Sequence, residues 1–171
     1  IEPMKHGNMD AWCPKNSGDK YGRTRTLKNA LANSVNTISA RIMDLVGPKP
    51  VINLARKMGI TSYLPPVPSI ALGTPDISLF ELVGAYSTFA NQGIYVKPIM
   101  ITRIEDKNGR ALYEVLPETQ DVLSQEAAYV TVNLMQGVTT AGSGARLRHA
   151  GLEETNYIYK NVITGYPYIF E

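Results

Sequence analysis

Thr26-Leu27-Lys28-Asn29-Ala30-Leu31-Ala32-Asn33-Ser34-Val35-Asn36-Thr37 is the stretch on which the reading of this chain turns. Leu27, Ala30, Leu31, Ser34, Val35, Ile38, Ile42 and Leu45 recur at three-to-four spacing, the mark of a helix with one buried face. Asn33, Ser34 and Asn36 favour caps and turns over helix interiors, so the pattern predicts a break near them. At a helix junction facing a cleft, the Ser34 hydroxyl and the Asn36 carboxamide would offer a proton relay and a carbonyl-binding amide together. The plain alternative is that Ser34 caps the following helix while Asn36 satisfies nearby backbone. Spacing alone leaves both open.

Upstream, residues 1–25 are polar and carry Gly7, Pro14, Gly18 and Gly22, which predicts an irregular lead-in. Downstream, Gly47 and Pro48 end the helical pattern, and Pro48 can open a short helix with Val51, Leu54, Ala55 and Met58 inward and Gly59 as its stop. Pro65, Pro66, Pro68 and Pro75 make the segment from Ile60 to Asp76 mostly loop. Ser78-Leu79-Phe80-Glu81 is a capping-box pattern. The helix it opens is expected to bury Leu79, Leu82, Val83, Tyr86 and Ala90, with Gly93 closing it. Residues 99–115, two extended stretches around Asp106-Lys107-Asn108-Gly109, predict a β-hairpin. Ser124 is expected to cap a helix through about Gln136, apolar at Ala127, Val130, Leu134 and Val138. From Ala141 onward the signal is weak.

Composition bounds the function. With 171 residues, 44% hydrophobic and 19% charged, the chain has globular balance and room for a core. A net charge of +2 with no concentrated basic stripe gives no case for nucleic acid. Cys13 is the single cysteine, which excludes an internal disulfide and reads as a loop thiol. His6 and His149 are isolated and no acidic cluster has ligand spacing, so no metal or other cofactor is expected. No apolar run reaches membrane-spanning length and no signal peptide opens the chain. Ile1 and Glu171 read as ends cut from something longer.

The central stretch looks different beside its companions. Thr26-Leu27, Ala30-Leu31 and Ser34-Val35-Asn36-Thr37 resemble the second catalytic motif of class A penicillin-binding proteins, the bifunctional enzymes that polymerise and cross-link peptidoglycan. In the same order follow Pro68-Ser69-Ile70-Ala71-Leu72-Gly73, Ser78-Leu79-Phe80-Glu81-Leu82, and Gly84-Ala85-Tyr86-Ser87-Thr88-Phe89-Ala90-Asn91-Gln92-Gly93. Arg103-Ile104-Glu105-Asp106, Leu134-Met135-Gln136-Gly137-Val138 and Gly142-Ser143-Gly144-Ala145-Arg146 continue it. The resemblance covers about residues 20–150 and extends less distinctly through Gly165-Tyr166-Pro167-Tyr168.

Family chemistry needs three motifs. Ser-x-x-Lys supplies the nucleophile and the lysine that activates it, Ser-x-Asn a second hydroxyl and a substrate-binding amide, and Lys-Thr-Gly the strand that holds the substrate carboxylate. By resemblance, only the middle motif carries over, as Ser34 and Asn36. Ser17-Gly18-Asp19-Lys20 matches the first as a string, but Gly18 and Asp19 lie in a polar loop rather than on a helix start. Thr164-Gly165 lacks the third motif's cation, since Ile163 stands in its place. Gly142-Ser143-Gly144 lacks the strand, lysine and glycine spacing of a phosphate loop, and is expected to be a turn packed near the cleft.

The resemblance implies an α+β fold: the mainly helical part of a penicillin-binding/serine β-lactamase-like transpeptidase, with a small hairpin and the central five-stranded sheet largely missing. Residues 1–171 would be a partial transpeptidase domain, with a lead-in at 1–25, a helical core at 26–150 and a tail at 151–171 running toward a missing Lys-Thr-Gly strand. The implied activity of the parent is DD-transpeptidation outside the cytoplasmic membrane, on peptidoglycan stem peptides, with β-lactams as inhibitors and membrane attachment through an anchor absent here. The segment alone is expected to be inactive, and its uncovered helix faces would favour a homodimer. The rival reading is a non-catalytic interaction module, and a weaker one a carboxypeptidase or β-lactamase relative.

Overall fold

Four of the five described α-helices begin where the adjoining sequence supplies an oxygen or a proline for the first turn. In the computed structural model, which describes residues 12–146, Thr26 caps α1 (Leu27–Ala32) by accepting the Asn29 N–H at 3.2 Å. A short break separates it from α2 (Asn36–Val46). Gly47 ends α2, and Pro48 opens α3 (Pro48–Lys57) at once, its missing N–H being one the first turn would leave unpaired anyway. The proline-rich segment after α3 is loop apart from a 3-10 turn at Pro68–Leu72, against which α2 rests.

α4 (Leu79–Ala90) starts with the complete capping box: Ser78 accepts the Glu81 N–H while the Glu81 carboxylate accepts the Ser78 N–H. α5 (Gln125–Ala141) starts on Ser124 and runs past the expected end near Gln136. Between these helices lie four short strands. β1 (Ile94–Val96) pairs antiparallel with β4 (Thr119–Asp121), and the hairpin of β2 (Arg103–Glu105) and β3 (Ala111–Glu114) is inserted between them. The expected hairpin is therefore present, with a shorter first strand and a register irregularity after Ile104. Its turn is closed by Asp106, whose carboxylate accepts the Asn108 and Arg110 N–H groups at 2.8 and 2.9 Å, and by Gly109 at φ +80°. The β1–β4 pair was not expected: three residues per strand are too few to show a period of two.

The core sits under α3 and α4. Met58, Ile60, Leu64 and Ala85 are buried together, with Ile52, Leu54, Ile70, Ile77, Phe89 and Val122 packed against them. Burying one such large aliphatic side chain is worth about 1.5–3 kcal/mol. A second contact line joins α1 to α5, where Ala30, Ala32, Ala128 and Gly137 are buried and Lys28 Nζ donates to Asn133 Oδ1 at 3.0 Å.

The helix spacing was right and several of its buried faces were not. Leu79, Val83 and Tyr86 of α4 are 74, 55 and 54% exposed, and Leu82 lies outward as well, whereas Gly84, Ala85 and Thr88 are buried. α4 is apolar on nearly every side, so a stripe read by size chose the wrong one. The small residue Gly84 lets the Pro98 and Tyr95 side chains pack close against the helix. The same inversion holds at Leu27, Leu31, Ile42 and Leu45, which are exposed beside buried Ala30, Ala40 and Met43, and at Ala127 and Val130 beside buried Ala128. Among the described residues, no helix is long and apolar enough to cross a membrane.

Candidate active site

The break between α1 and α2 is a Schellman turn. Val35 N–H donates to the Ala30 carbonyl at 3.0 Å and Ser34 N–H to the Leu31 carbonyl at 3.1 Å, which places Ser34 at the position glycine normally fills. Ser34 accordingly has φ +50°, a left-handed conformation that costs an L-residue about 1–2 kcal/mol. It is exposed. It does not cap the next helix: the residue at the cap position of α2 is Val35, which contributes no side-chain hydrogen bond.

Asn36 is the first residue of α2 and is half-buried. Its Nδ2 donates to the Lys15 carbonyl at 2.8 Å. That bond uses one of two amide protons, leaving the second proton and Oδ1 as binding capacity. Thr37 is held from the same strand of loop, its N–H and hydroxyl donating to Asn16 Oδ1 at 3.0 and 3.1 Å. Sequence reading therefore brought Ser34 and Asn36 to one junction correctly, but missed Lys15 and Asn16. Once the helix is seen to open on Val35, its first N–H groups have no local oxygen and must find one elsewhere, but no spacing in the sequence points to Lys15 or Asn16.

A hollow of about 1230 Å³ lies between residues 12–25 and the start of α2, lined by Trp12, Cys13, Lys20, Tyr21, Val35 and Thr37 among others. Its wall includes both sequence neighbours of Asn36, but neither Ser34 nor Asn36. Cys13 is exposed there. Ser17 and Lys20 do not stand on successive turns of an α-helix: Ser17–Asp19 is a single 3-10 turn with Gly18 at φ +69° and Asp19 at φ +49°. The Gly142-Ser143-Gly144 stretch is a turn at the end of α5, packed on the end of α1. A Cβ on Gly142 would fall 2.1 Å from the Ala32 carbonyl oxygen, two residues before Ser34. Ile163, Thr164, Gly165 and the 151–171 tail lie outside the described residues, as do His6 and His149. No group of three or more His, Cys, Asp or Glu among the described residues could hold a metal ion.

One further polar cluster supports the frame. Glu81 accepts from the Ser62 hydroxyl and N–H at 2.5 and 2.9 Å, from the Thr61 hydroxyl and N–H at 2.5 and 2.6 Å, and from the Ser78 hydroxyl and N–H at 2.8 and 3.2 Å. The Ser62 hydroxyl first, then those of Thr61 and Ser78 and the Thr61 N–H, hold its carboxyl well below the usual range. This carboxylate pins the loop after α3 to the start of α4.

Residues 1–157 match the family described as the penicillin binding protein transpeptidase domain. Penicillin-binding protein 1A of Aquifex aeolicus is 38% identical over 135 residues, covering 79% of this chain and 18% of that protein. Penicillin-binding protein 2D of Bacillus subtilis is 35% identical over 130 residues, 75% of this chain and 19% of that protein. The chain thus spans about a fifth of the length of the curated relatives it matches. Among solved structures, penicillin-binding protein 1A of Haemophilus influenzae superposes with a TM-score of 0.73 at 21% identity, over 83% of this chain and 26% of that one. PonA1 of Mycobacterium tuberculosis, solved with penicillin V, gives 0.65 at 24% identity, over 73% of this chain and 37% of that one. These likenesses show the fold.

Proposed function

The chain belongs to the penicillin-binding protein transpeptidase family, and on that premise we propose that it supplies one wall of a serine DD-transpeptidase site, with Ser34 and Asn36 as the catalytic groups of that wall. In the proposed reaction a serine elsewhere in the parent protein attacks the penultimate D-Ala carbonyl of a stem peptide. The peptide C–N bond breaks, the leaving D-Ala amine takes up a proton, and an acyl-serine remains. The amine of a second stem peptide then attacks that ester, forming the cross-link, releasing the serine oxygen and returning its own proton to the site. Ser34 relays protons between the activating lysine and the departing or arriving amine, while Asn36 donates its second amide proton to the peptide carbonyl and offers Oδ1 to the lysine. β-Lactams enter the same route and stay on the serine. The parent works outside the cytoplasmic membrane, where its substrate is.

The observation that carries this reading is the conformation of Ser34. A residue held at φ +50° on the surface, its hydroxyl not engaged in capping, is a costly way to end a helix when glycine would do. Backbone strain of this kind concentrates at functional sites. Labelling with a fluorescent penicillin tests it. The full-length protein should be acylated, its Ser34→Ala variant acylated far more slowly, and this 171-residue segment alone not at all. Covalent labelling of the segment would overturn the assignment of the nucleophile to other parts of the protein, and a full-length protein that takes no label would favour the interaction module.

A further inference from the structure

The helix that begins with Asn36 has no cap of its own. The first N–H groups of any helix lack intrahelical acceptors, and α1, α4 and α5 meet that need locally with Thr26, Ser78 and Ser124. At α2 the cap position is Val35, which has no side-chain oxygen. The acceptor comes from 21 residues upstream: Asn16 Oδ1 takes the Thr37 N–H at 3.0 Å and the Thr37 hydroxyl at 3.1 Å. The other end of the same amide is fixed too, since Asn16 Nδ2 donates to the Lys20 carbonyl at 3.0 Å. One residue earlier, the Lys15 carbonyl receives Asn36 Nδ2. Two consecutive loop residues therefore grip two consecutive residues at the start of α2.

We propose that Asn16 is a positioning residue for the Ser34–Asn36 pair: it caps α2 from outside and so sets the direction in which the Asn36 amide and the Ser34 hydroxyl are presented. This rests on the reading of Ser34 and Asn36 as catalytic groups. A cap supplied by the junction itself would have to engage a side chain there, and the nearest one is Ser34. Capping from Asn16 leaves that hydroxyl without backbone duty, while the strained turn limits how far Ser34 can swing and the Lys15 carbonyl holds the Asn36 amide.

Single-turnover acylation of the full-length protein by a fluorescent penicillin tests the proposal, with rate constant and burst amplitude measured separately. Amplitude counts folded, acylable molecules, so a variant that folds poorly still reports its rate. Asn16→Ala should keep most of its amplitude and acylate about tenfold more slowly, within the range that displacing a reacting group produces. Asn16→Asp keeps an oxygen at the helix start, where negative charge is favoured, but loses the donor to the Lys20 carbonyl, and should acylate faster than Asn16→Ala without reaching the parental rate. Asn16→Ala added to Asn36→Ala should slow the protein little further. The proposal is overturned if Asn16→Ala lowers amplitude alone, or if its rate is unchanged while Ser34→Ala is slow. It is likewise overturned if Asn16→Asp is as slow as Asn16→Ala. Ser34→Ala acylating at the parental rate removes the underlying reading, and that result is distinct from each of these.

Discussion

The starts of α2 and α4 solve one physical problem in opposite ways. α4 is closed by its own four residues, Ser78 and Glu81 exchanging hydrogen bonds across its first turn, with Thr61 and Ser62 added to the same carboxylate. α2 is closed by a distant amide and follows a residue in left-handed strain. The first arrangement is what stability alone would select. The second gives up local consistency and leaves a hydroxyl and half an amide available at the surface. A conflict between local preference and observed backbone is where function is to be sought, and here the two helix starts supply the contrast within one molecule.

That contrast can be broken by experiment. Ser34→Ala should reduce the acylation rate of the full-length protein by about 10²–10⁴, the cost of losing a placed acid/base group, with little change in unfolding midpoint. Gly142→Ala comes next: its Cβ would meet the Ala32 carbonyl oxygen, so α5 must shift against α1 beside Ser34. Overpacking of this kind costs about 1–3 kcal/mol, and both urea unfolding and acylation should register it. Ser78→Ala should remove about 1 kcal/mol of stability and leave the acylation rate constant alone, the reverse of Ser34→Ala. Ser34→Gly should relieve the left-handed strain and raise stability by up to about 1 kcal/mol while losing the reaction, so stability and activity move apart at a single site.

The gentlest effect is in pH. The folded-state pKa of Glu81 lies below its ordinary value near 4.5, so its hydrogen bonds contribute fully above that pH. The contribution is lost as the pH falls through the folded-state value. Because the group is exposed, solvent limits its size. Unfolding followed from pH 6 down to about 3 should show a steeper acid loss for the parent than for Glu81→Gln. Equal slopes would mean that the six hydrogen bonds to this carboxylate do not survive in solution.

Most of the element order was legible because it is written in local chemistry. Thr26, Pro48, Ser78 and Ser124 mark helix starts, Gly47 marks a stop, and Asn108-Gly109 marks a turn; each acts within a few residues of itself. The break at Asn33–Ser34 was legible for the same reason. What could not be read were facts held between distant residues. Asn16 and Thr37 meet only in three dimensions, and no spacing rule joins them. The buried face of α4 was missed because Leu79, Val83 and Tyr86 look like core by size, whereas contact there is made through Gly84, Ala85 and Thr88, where neighbours come close. Large apolar side chains report that a surface will be covered, not which neighbour covers it.

The paired strands that frame the hairpin carry a practical consequence. The Lys97 N–H donates to the Glu118 carbonyl at 3.0 Å, so the excursion between those residues leaves and rejoins through one doorway. Both strands of the hairpin are exposed along their length, and its tip at Asn108 and Gly109 lies beyond that latch. An epitope or dye grafted at this tip is expected to leave the unfolding midpoint of the helical part unchanged.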